Sequence, residues 1–406
     1  MTVTASHTAA TGTYVPFYIP HLTGREETYL REAFETGQLD SDGTFTERAV
    51  ALLRRLTGTP HALLTPSCTH ALEIAALALD LQPGDEVIVP SWTFAPTASA
   101  FALRGAVPVF VDCRPDTLNL DERRLEEAVS ERTRAILVMH YAGVACAMDE
   151  ITAIAGRHGL PIVEDNAHGL AGAYRGRALG TFGIMAAHSF HATKNIQCSK
   201  GGALFVNDPA LYERTVLIRD RGTNRYQYFR GEVDKYRWVD LGSSYLLSEP
   251  LAAFLTAQLE ELPRIQRRRR EIWAAYHERL AGWAGRTGVV RPTVPPGCEQ
   301  PAHIYYLVLP GPDSQQALLA HLAEHGVKAT PHFQPLHSSP AGLRYGRTAP
   351  GSCPVTEWVA DRLIRLPLYA DMTDSQVDRV VDALTSFQPR PARRPAPGHD
   401  DRKEMR

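Results

Sequence analysis

Residues 134–165, RAILVMHYAGVACAMDEITAIAGRHGLPIVED, contain the pattern that decides the fold. Two apolar runs, Arg134 to Tyr141 and Pro161 to Asp165, have the composition of buried strands. The segment between them has a helical period up to about His158, and Asp149 is the expected N-cap of that helix. A strand, a helix and a second strand in this order predict a βαβ unit of a parallel sheet.

The same alternation extends from about Thr23 to Asn207. It predicts five further strands, at His61 to Pro66, Glu86 to Thr93, Val107 to Asp112, Ala186 to Phe190 and Ala203 to Val206. Repeated βα units predict an α/β fold around a mostly parallel sheet. Because open parallel sheets bind ligands beyond the carboxyl ends of their strands, the residues that follow these strands are the candidates for a site.

The chain is predicted to have four parts: an N-terminal arm (residues 1–22), a large α/β domain (23–262), a connecting helix with a small C-terminal α+β domain (263–388), and a disordered tail (389–406). The connecting helix is predicted after Pro263 from apolar residues at helical spacing, namely Ile265, Ile272, Tyr276, Leu280 and Trp283. Residues 267–270, four consecutive arginines, are expected on its solvated or ion-paired face.

Composition excludes several classes of function. Lys and Arg total 43 against 45 for Asp and Glu, so there is no global basic field to attract nucleic acid or a membrane. The six cysteines are scattered without the Cys/His spacing of a zinc site, which indicates reduced thiols and no metal centre. No signal sequence and no apolar stretch of roughly 20 residues is evident, so a cytoplasmic protein is expected.

The first chemically suggestive stretch is PIVEDNAH, residues 161–168. Asp165 ends a predicted strand, and a carboxylate in this position could keep a pyridine nitrogen protonated, so that the ring becomes a stronger electron sink. His168 could hydrogen-bond either that carboxylate or a hydroxyl of the ring. Taken alone, an Asp at the end of a strand is more often structural or a helix cap.

The second stretch is AAHSFHATKN, residues 186–195, in which Lys194 follows a buried strand. A lysine amine can form an imine with an aldehyde and can then move a proton between two carbon atoms. The Ser189 hydroxyl could bind a phosphate. Because an isolated lysine is usually a surface residue, and because Lys200 lies nearby, this stretch by itself does not decide between the two lysines.

Two further stretches follow strands. In TPSCTHAL, residues 65–72, the start of a helix with Cys68 and Thr69 could hold a phosphate through backbone N–H groups and the Thr69 hydroxyl, although an ordinary N-cap is equally consistent with this pattern. In SWTF, residues 91–94, an aromatic ring could stack on a cofactor, and the alternative is a core aromatic.

Together these residues resemble the sugar-nucleotide aminotransferases of the DegT/DnrJ/StrS family, which are fold-type I enzymes dependent on pyridoxal 5′-phosphate (PLP). The resemblance extends from about Val15 to Phe387. It is carried by the ordered motifs TPSCT (65–69), PGDEV (83–87), ED (164–165) and SFHATKN (189–195).

The resemblance implies an aspartate aminotransferase-like fold and PLP as cofactor, with pyridoxamine 5′-phosphate (PMP) as the intermediate form. It implies that Lys194 forms the Schiff base, that Asp165 faces the pyridine nitrogen and that Phe94 stacks on the ring. The phosphate would be held by Ser189, Thr69 and neighbouring amides, including that of Cys68.

The resemblance also implies a homodimer with shared active sites, in which the loop 222–244 reaches the partner's cofactor. The family commonly has Gln where this chain has His168, and many relatives have Asn where it has Ser244. His can form a similar hydrogen bond, and the Ser244 hydroxyl could contribute to the partner's phosphate site.

Within the family, the chain is most similar to enzymes that aminate C4 of dTDP-4-dehydro-6-deoxy-D-glucose with L-glutamate as amino donor. The motifs are HYAGVAC (140–146), RGTNR (221–225), FRG (229–231) and VDKY (233–236). The sequence does not decide whether the product has the gluco or the galacto configuration at C4. It also does not decide whether the deoxysugar is used in antibiotic or in polysaccharide biosynthesis. Four residues are candidates for substrate contact: Ser41, Asn224, His332 and His337.

Three alternatives are weighed against this interpretation. The first is a 3-aminotransferase or another sugar-nucleotide aminotransferase of the same family. The second is a PLP-dependent sugar dehydratase, in which a histidine replaces the Schiff-base lysine, and Lys194 argues against it. The third is a non-catalytic PLP-binding regulator, which would be expected to lack a catalytic residue, and none is missing.

Overall fold

The computed structural model describes residues 14–389. Most of the predicted N-terminal arm and residues 390–406 of the predicted tail lie outside the described residues. The described part contains these α-helices: α1 (Glu26–Glu35), α2 (Thr44–Thr57), α3 (Cys68–Ala78), α4 (Ala95–Ala102), α5 (Leu125–Ala128), α6 (Met148–His158), α7 (Tyr212–Arg219), α8 (Arg225–Phe229), α9 (Glu249–Glu260), α10 (Leu262–Arg279), α11 (Ala281–Thr287), α12 (Pro312–Glu324), α13 (Pro340–Tyr345), α14 (Pro354–Ala360) and α15 (Asp374–Ser386).

Its strands are β1 (His61–Thr65), β2 (Glu86–Pro90), β3 (Val107–Val111), β4 (Thr133–Met139), β5 (Ile162–Asp165), β6 (Ala173–Tyr174), β7 (Arg177–Ala178), β8 (Met185–Ser189), β9 (Gly202–Val206), β10 (Cys298–Glu299), β11 (Tyr306–Val308), β12 (Arg347–Thr348) and β13 (Leu363–Arg365). All seven predicted strands are present. The α/β class predicted from the βα alternation is therefore confirmed.

The main sheet has eight strands in the order β1-β9-β8-β5-β4-β2-β3-β12. Strand β9 pairs antiparallel with both of its neighbours, and the remaining pairs are parallel. Strands β4, β5 and β8 are adjacent and parallel, so their carboxyl ends meet at one edge. Two small antiparallel sheets, β10-β6-β7 and β11-β13, complete the strand architecture.

The central strands are apolar because they are covered on both faces. Val87, Ile88 and Val89 in β2 are fully buried, and they divide between clusters on the two sides of the sheet. A separate core surrounds α10, α12 and α15, with Tyr276 and Trp283 among its largest members. The domain boundaries given above stay a prediction.

The start of α2 illustrates how distant residues complete a local element. The buried Glu249 carboxylate accepts hydrogen bonds from the N–H groups of Gly43 (2.9 Å), Phe45 (3.0 Å) and Thr46 (3.1 Å). These N–H groups have no partner within the helix, so a carboxylate from the start of α9 satisfies them. The contact holds the loop that contains Ser41.

Two expectations about helices are wrong. The N-cap of α6 is Ala147, and Asp149 lies within the first turn, where it forms an ion pair with Arg175. On α10, Arg269 is buried and donates to the carbonyl oxygens of Ala302 (3.1 Å) and His303 (2.7 Å). Burial lowers the pKa of Arg269 to about 9. Sequence periodicity did not distinguish this arginine from its exposed neighbours because its acceptors are more than thirty residues away.

Among the described residues, no helix has both the length and the hydropathy required to span a membrane.

Candidate active site

Asp165 is the last residue of β5, at the edge where the carboxyl ends of parallel strands meet. It is buried, and its Oδ2 accepts a hydrogen bond from Thr97 Oγ1 (2.7 Å) while its Oδ1 accepts from the Ala167 N–H (3.1 Å). Thr97 Oγ1 is itself 2.9 Å from Thr93 Oγ1. Burial raises the pKa of Asp165, although the two hydrogen bonds oppose this shift.

Glu164 precedes Asp165 and points to the other face of the strand. Its carboxylate contacts His140 Nε2 (2.9 Å) and accepts hydrogen bonds from the N–H groups of Gly180 (2.8 Å), Phe182 (2.7 Å) and Gly183 (2.6 Å). Burial opposes ionisation of Glu164, but the His140 contact and the backbone donors outweigh it and lower the pKa of the carboxyl. Glu164 is therefore fully engaged in holding its surroundings.

Lys194 lies in a tight turn after β8, where its N–H donates to His191 O (2.8 Å). Its side chain is partly exposed and lines a small cavity with Ser189, His168 and His303. Desolvation by the cavity walls lowers the pKa of Lys194 to about 8, although the negative charge of the nearby Asp165 opposes this shift. Lys200 is exposed at the other end of the same turn.

Asn195 anchors the lysine turn to the C-terminal part of the chain. Its Nδ2 donates to Gln266 Oε1 (2.9 Å) on α10 and to Pro301 O (2.7 Å), and its Oδ1 is 2.9 Å from His303 Nδ1. All of these groups are buried or backbone atoms, so the contacts tie the lysine turn to α10 and to the segment that contains Pro301 and His303. The sequence pattern contained Asn195 but gave no signal of these distant partners.

The start of α3 lies beside the end of β8. Ser67 is the N-cap and accepts from the His70 N–H (3.2 Å), so the N-cap alternative is realised by Ser67. Cys68 and Thr69 occupy the first turn, where backbone N–H groups have no acceptor within the helix. Ser189 pairs with Gly202, and a Cβ on Gly202 would lie 2.5 Å from Cys68 N. Only glycine permits this close approach of the helix start to the strand.

His168 is buried, and its Nδ1 accepts a hydrogen bond from the Ala142 N–H (3.3 Å). Burial lowers the pKa of His168 well below its usual value, so the ring is neutral and its proton is on Nε2. Its ring centroid is 4.3 Å from that of His303. The sequence predicts two possible partners for His168, the Asp165 carboxylate and a hydroxyl of the cofactor ring. Among the described residues, Asp165 does not hydrogen-bond His168. Nε2 therefore stays available as a donor to a ring hydroxyl.

The aromatic residues of SWTF have different surroundings. Trp92 is buried against Tyr141 and Phe333, and is therefore a core aromatic. Phe94 is 62% exposed and forms the N-cap of α4, with its ring 6.3 Å from that of Phe333. Of the two rings, only Phe94 is open enough to cover a ligand.

The candidates for substrate contact do not form one cluster. His332 belongs to the cavity group, because its Nδ1 is 2.7 Å from Tyr141 Oη and its ring stacks 6.0 Å from that of His168. His337 is buried, with Nδ1 2.7 Å from Ser91 Oγ and Nε2 3.2 Å from a Glu357 carboxylate oxygen, so both ring nitrogens are already engaged.

The other two candidates for substrate contact, Ser41 and Asn224, lie in loops, as does Ser244, which is predicted at the partner's phosphate site. Ser41 is partly buried in the loop before α2. Asn224 is buried, and its Oδ1 accepts from the Arg237 N–H (2.7 Å), which holds the loop between them. Ser244 is exposed beside Asp220. Their roles toward a substrate or a partner stay predictions.

Several residues around the cavity were missed by sequence reasoning, namely Thr97, Tyr141, Asn195, His303, Phe333 and Arg365. Thr97 and Tyr141 follow β2 and β4, so their position after predicted strands was a usable signal. Asn195 directly follows Lys194 in the SFHATKN motif, so its position was also a usable signal. His303, Phe333 and Arg365 come from C-terminal segments with no local pattern that marks a site.

The residues present fit the cofactor that the resemblance implies. The desolvated Lys194 amine lines one cavity, and the buried Asp165 carboxylate lies close enough to influence the charge of that amine. The free N–H groups at the start of α3 lie beside Ser189, which lines the same cavity. The neutral His168 lines this cavity, and the Phe333 ring stacks on His168 and also on the exposed Phe94 ring. An aldehyde, a pyridine nitrogen, a phosphate and a ring hydroxyl would each find a partner of suitable chemistry.

Residues 20–385 match the DegT/DnrJ/EryC1/StrS aminotransferase family. The chain belongs to this family. As a member of it, the protein is an aminotransferase, and its mostly parallel large sheet with a small antiparallel sheet is the fold-type I arrangement.

Three solved structures illustrate this aminotransferase's similarity to known proteins. DesV of S. venezuelae, in complex with a ketimine intermediate, is 32% identical with a TM-score of 0.85, over 93% of this chain and 99% of that one. The sugar aminotransferase CalS13 from Micromonospora echinospora is 27% identical with a TM-score of 0.83, over 92% and 99%. A sugar aminotransferase from Streptococcus pneumoniae in its PLP form is 25% identical with a TM-score of 0.84, over 92% and 98%.

Proposed function

We propose that this aminotransferase uses PLP to transfer an amino group from L-glutamate to C4 of dTDP-4-dehydro-6-deoxy-D-glucose. The product would be dTDP-4-amino-4,6-dideoxy-D-glucose or its galacto epimer. The observation that carries the proposal is the cavity shared by Lys194, Ser189 and His168 beside the buried Asp165. Sugar aminotransferases among the solved relatives, one of them known in PLP and PMP forms, support the same class of reaction.

Each end of the cofactor has a proposed partner. Asp165 would face the pyridine nitrogen, with Thr97 and the Ala167 N–H fixing the carboxylate. Ser189, Thr69 and the first N–H groups of α3 would hold the phosphate. When bound, PLP supplies an aromatic ring that takes up the electron pair released as a proton leaves the carbon next to the amino group.

Lys194 has the proposed role of proton carrier. A pKa near 8 leaves an appreciable fraction of the amine neutral near neutral pH, and only the neutral amine can accept a proton. The amine would take the proton from the α-carbon of glutamate in the first half-reaction. In the second half-reaction, it would give a proton to C4 of the sugar.

His168 has the proposed role of orienting the ring. Because the Ala142 N–H occupies Nδ1, the proton on Nε2 can be donated to the ring hydroxyl. The neutral state of His168 adds no positive charge beside Lys194, so the histidine can donate without further lowering the basicity of the lysine.

The loop 222–244 supports a homodimer. It exposes several large apolar side chains, including Phe229 (67%) and Trp238 (76%). Neighbouring apolar residues exposed to this extent on one segment are typical of an interface. A Trp238→Ser variant should shift the equilibrium toward monomer in light scattering coupled to size-exclusion chromatography, whereas Leu343→Ser, at an exposed position far along the chain, should not.

The substrate assignment is tested by incubating the PLP-loaded enzyme with L-glutamate and dTDP-4-dehydro-6-deoxy-D-glucose. NMR of the product should show nitrogen on C4, and its coupling constants would separate the gluco from the galacto epimer. Failure to aminate this sugar while PLP is bound would contradict the C4 assignment. Parallel lines in double-reciprocal initial-velocity plots are expected, since the two half-reactions share one site.

A further inference from the structure

A second cavity lies against α10 and shares no lining residue with the Lys194 cavity. Its volume is about 540 Å³, within the range of about 300–1,000 Å³ that is typical of small-molecule sites. Its lining includes three residues of α10 and three of the segment around β10, namely Arg270, Trp273, His277, Cys298, Glu299 and Gln300. The proposed function uses none of these residues, so the second cavity can serve a different ligand.

One wall of the second cavity consists of packed aromatic rings. The half-buried Trp273 ring stacks on the His277 ring, with centroids 4.7 Å apart and planes inclined by 14°. The Tyr305 ring lies edge-on to Trp273, with centroids 5.3 Å apart, and its Oη is 3.4 Å from His277 Nδ1. Burial lowers the pKa of His277, so this ring is neutral at neutral pH. The wall is therefore preformed, uncharged and planar, which suits a flat ring of a ligand.

The second cavity also carries two charged groups, Arg270 and Glu299, which do not pair with each other. In the part of the chain from residue 14 to residue 389, neither side chain forms an ion pair or a hydrogen bond. Arg268, two residues earlier on α10, instead pairs with Glu271 and with Asp374. Arg270 is thus a free cation at a cavity that also holds a free carboxylate.

These features restrict the chemistry of the ligand. A phosphate-bearing ligand would bring negative charge close to Glu299, and like charges placed together are unfavourable. A zwitterion offers a carboxylate to Arg270 and an ammonium group to Glu299, while an aromatic side chain would lie against Trp273. We propose that the second cavity is a binding site for a free amino acid with an aromatic side chain.

The segment after β10 separates the second cavity from the Lys194 cavity. Gln300 lines the second cavity and His303 lines the Lys194 cavity. Between them, Pro301 O accepts a hydrogen bond from Asn195 Nδ2 (2.7 Å), and Asn195 directly follows Lys194. A ligand seated against Gln300 therefore contacts the segment that anchors the lysine turn. We expect its binding to change the reaction rate at Lys194, and this coupling, unlike the binding site itself, rests on the proposed function.

Binding is measured by isothermal titration calorimetry with L-phenylalanine and the PMP-loaded enzyme, which has no aldehyde with which the amino acid could react. Trp273→Ala should weaken binding at least about tenfold, because the stacking surface is lost. Arg270→Gln should weaken it by a similar factor, because the charged donor to the carboxylate is lost. Arg267→Gln removes an exposed arginine of the same helix that does not line the cavity, and it should bind like the wild type.

Two analogues of L-phenylalanine test the charged contacts one at a time. 3-Phenylpropanoate lacks the ammonium group and 2-phenylethylamine lacks the carboxylate, so each should bind the wild type about tenfold more weakly than L-phenylalanine. Glu299→Gln should abolish the advantage of L-phenylalanine over 3-phenylpropanoate, and Arg270→Gln should abolish its advantage over 2-phenylethylamine. A loss of the same size for all three compounds would indicate a distorted cavity and would overturn the assignment of the two charges.

A second measurement uses the wild-type chain and does not depend on how the variants fold. Free 4-azido-L-phenylalanine is photolysed with the PMP-loaded enzyme, and the label is mapped by mass spectrometry. Label within residues 270–277 or 294–300 that excess L-phenylalanine removes would support the site. Label confined to the peptide that contains Lys194, or no label that L-phenylalanine removes, would overturn it. Tighter binding of thymidine 5′-monophosphate than of L-phenylalanine would also overturn it and would assign the cavity to a nucleotide.

The coupling is tested with the half-reaction between the PLP-loaded enzyme and L-glutamate, followed through the absorbance of the cofactor. Saturating L-glutamate suppresses direct competition at the Lys194 cavity, so L-phenylalanine should change the limiting rate about fivefold or more through the second cavity. Trp273→Ala should remove this effect. An unchanged limiting rate in the wild type would overturn the coupling through Pro301. A wild-type enzyme that does not react with L-glutamate would contradict the proposed function, whereas the calorimetry and the photolabelling test the binding site separately.

Discussion

The two faces of β5 carry neighbouring buried carboxylates with opposite surroundings. Glu164 contacts His140 and three backbone N–H groups, and its pKa is lowered. Asp165 accepts from Thr97 and one backbone N–H on the side of the Lys194 cavity, and burial raises its pKa. The comparison teaches that burial alone does not indicate function. The number of hydrogen bonds already satisfied by the protein separates the structural carboxylate from the one that can serve a ligand.

The largest expected effect on activity comes from a substitution on the side of β5 where Asp165 and the Lys194 cavity lie. Lys194→Ala should lower the transamination rate by at least about 10⁴-fold, because both the amine that binds the cofactor and the proton carrier are lost. Lys200→Ala, at the exposed end of the same turn, should keep nearly full activity. Rates are measured by formation of 2-oxoglutarate, and borohydride reduction followed by peptide mapping should label Lys194. A label on Lys200 would reverse the assignment.

A substitution on the face of β5 that carries Glu164 should lower the stability of the fold. Glu164→Gln removes the charge that faces His140 while keeping the side-chain shape, and should destabilise the protein by about 3–5 kcal/mol. The measurement is the urea midpoint of the PLP-free protein, with the exposed Glu150→Gln on α6 as control. Equal midpoints for the two variants would mean that the Glu164 network does not hold the fold.

Asp165→Asn tests the other face with the same kind of change. We expect a rate loss of about 10²–10³-fold, since a neutral amide cannot stabilise positive charge on a pyridine nitrogen, and little change in the urea midpoint. A variant that loses stability like Glu164→Gln but keeps its rate would remove the distinction between the two carboxylates.

A pH profile gives the smallest of the four effects. Only the neutral Lys194 amine reacts with the aldehyde, and a pKa of about 8 makes the neutral fraction rise from about 1% at pH 6 to about half at pH 8. The initial rate of PLP uptake by the apo-enzyme, followed by absorbance, should therefore rise about 50-fold over this range and level off above about pH 9. A rate that still rises tenfold per unit above pH 9 would indicate an ordinary lysine.

Much of the fold was predictable because its signals are local. Apolar β-branched runs and helical periods identified β1 to β5, β8 and β9, and the connecting helix α10 begins within one residue of the predicted Pro263. Helix ends were less predictable. Leu280 and Trp283 continue the apolar period of α10 but lie beyond its last residue, Arg279, because the chain starts a new helix there.

The sequence by itself determined the βα alternation and the order of chemically useful residues after the strands, since strand and helix periods depend on near neighbours. Only the tertiary structure decided that Lys194 lines the cavity while Lys200 lies at the surface, and that Glu164 is fully engaged while Asp165 faces Lys194. It also brought His303 to the wall of that cavity and His332 next to His168, although each lies more than a hundred positions along the chain from its partner. Those contacts depend on strand order and on packing between distant segments, for which a single sequence carries no local pattern.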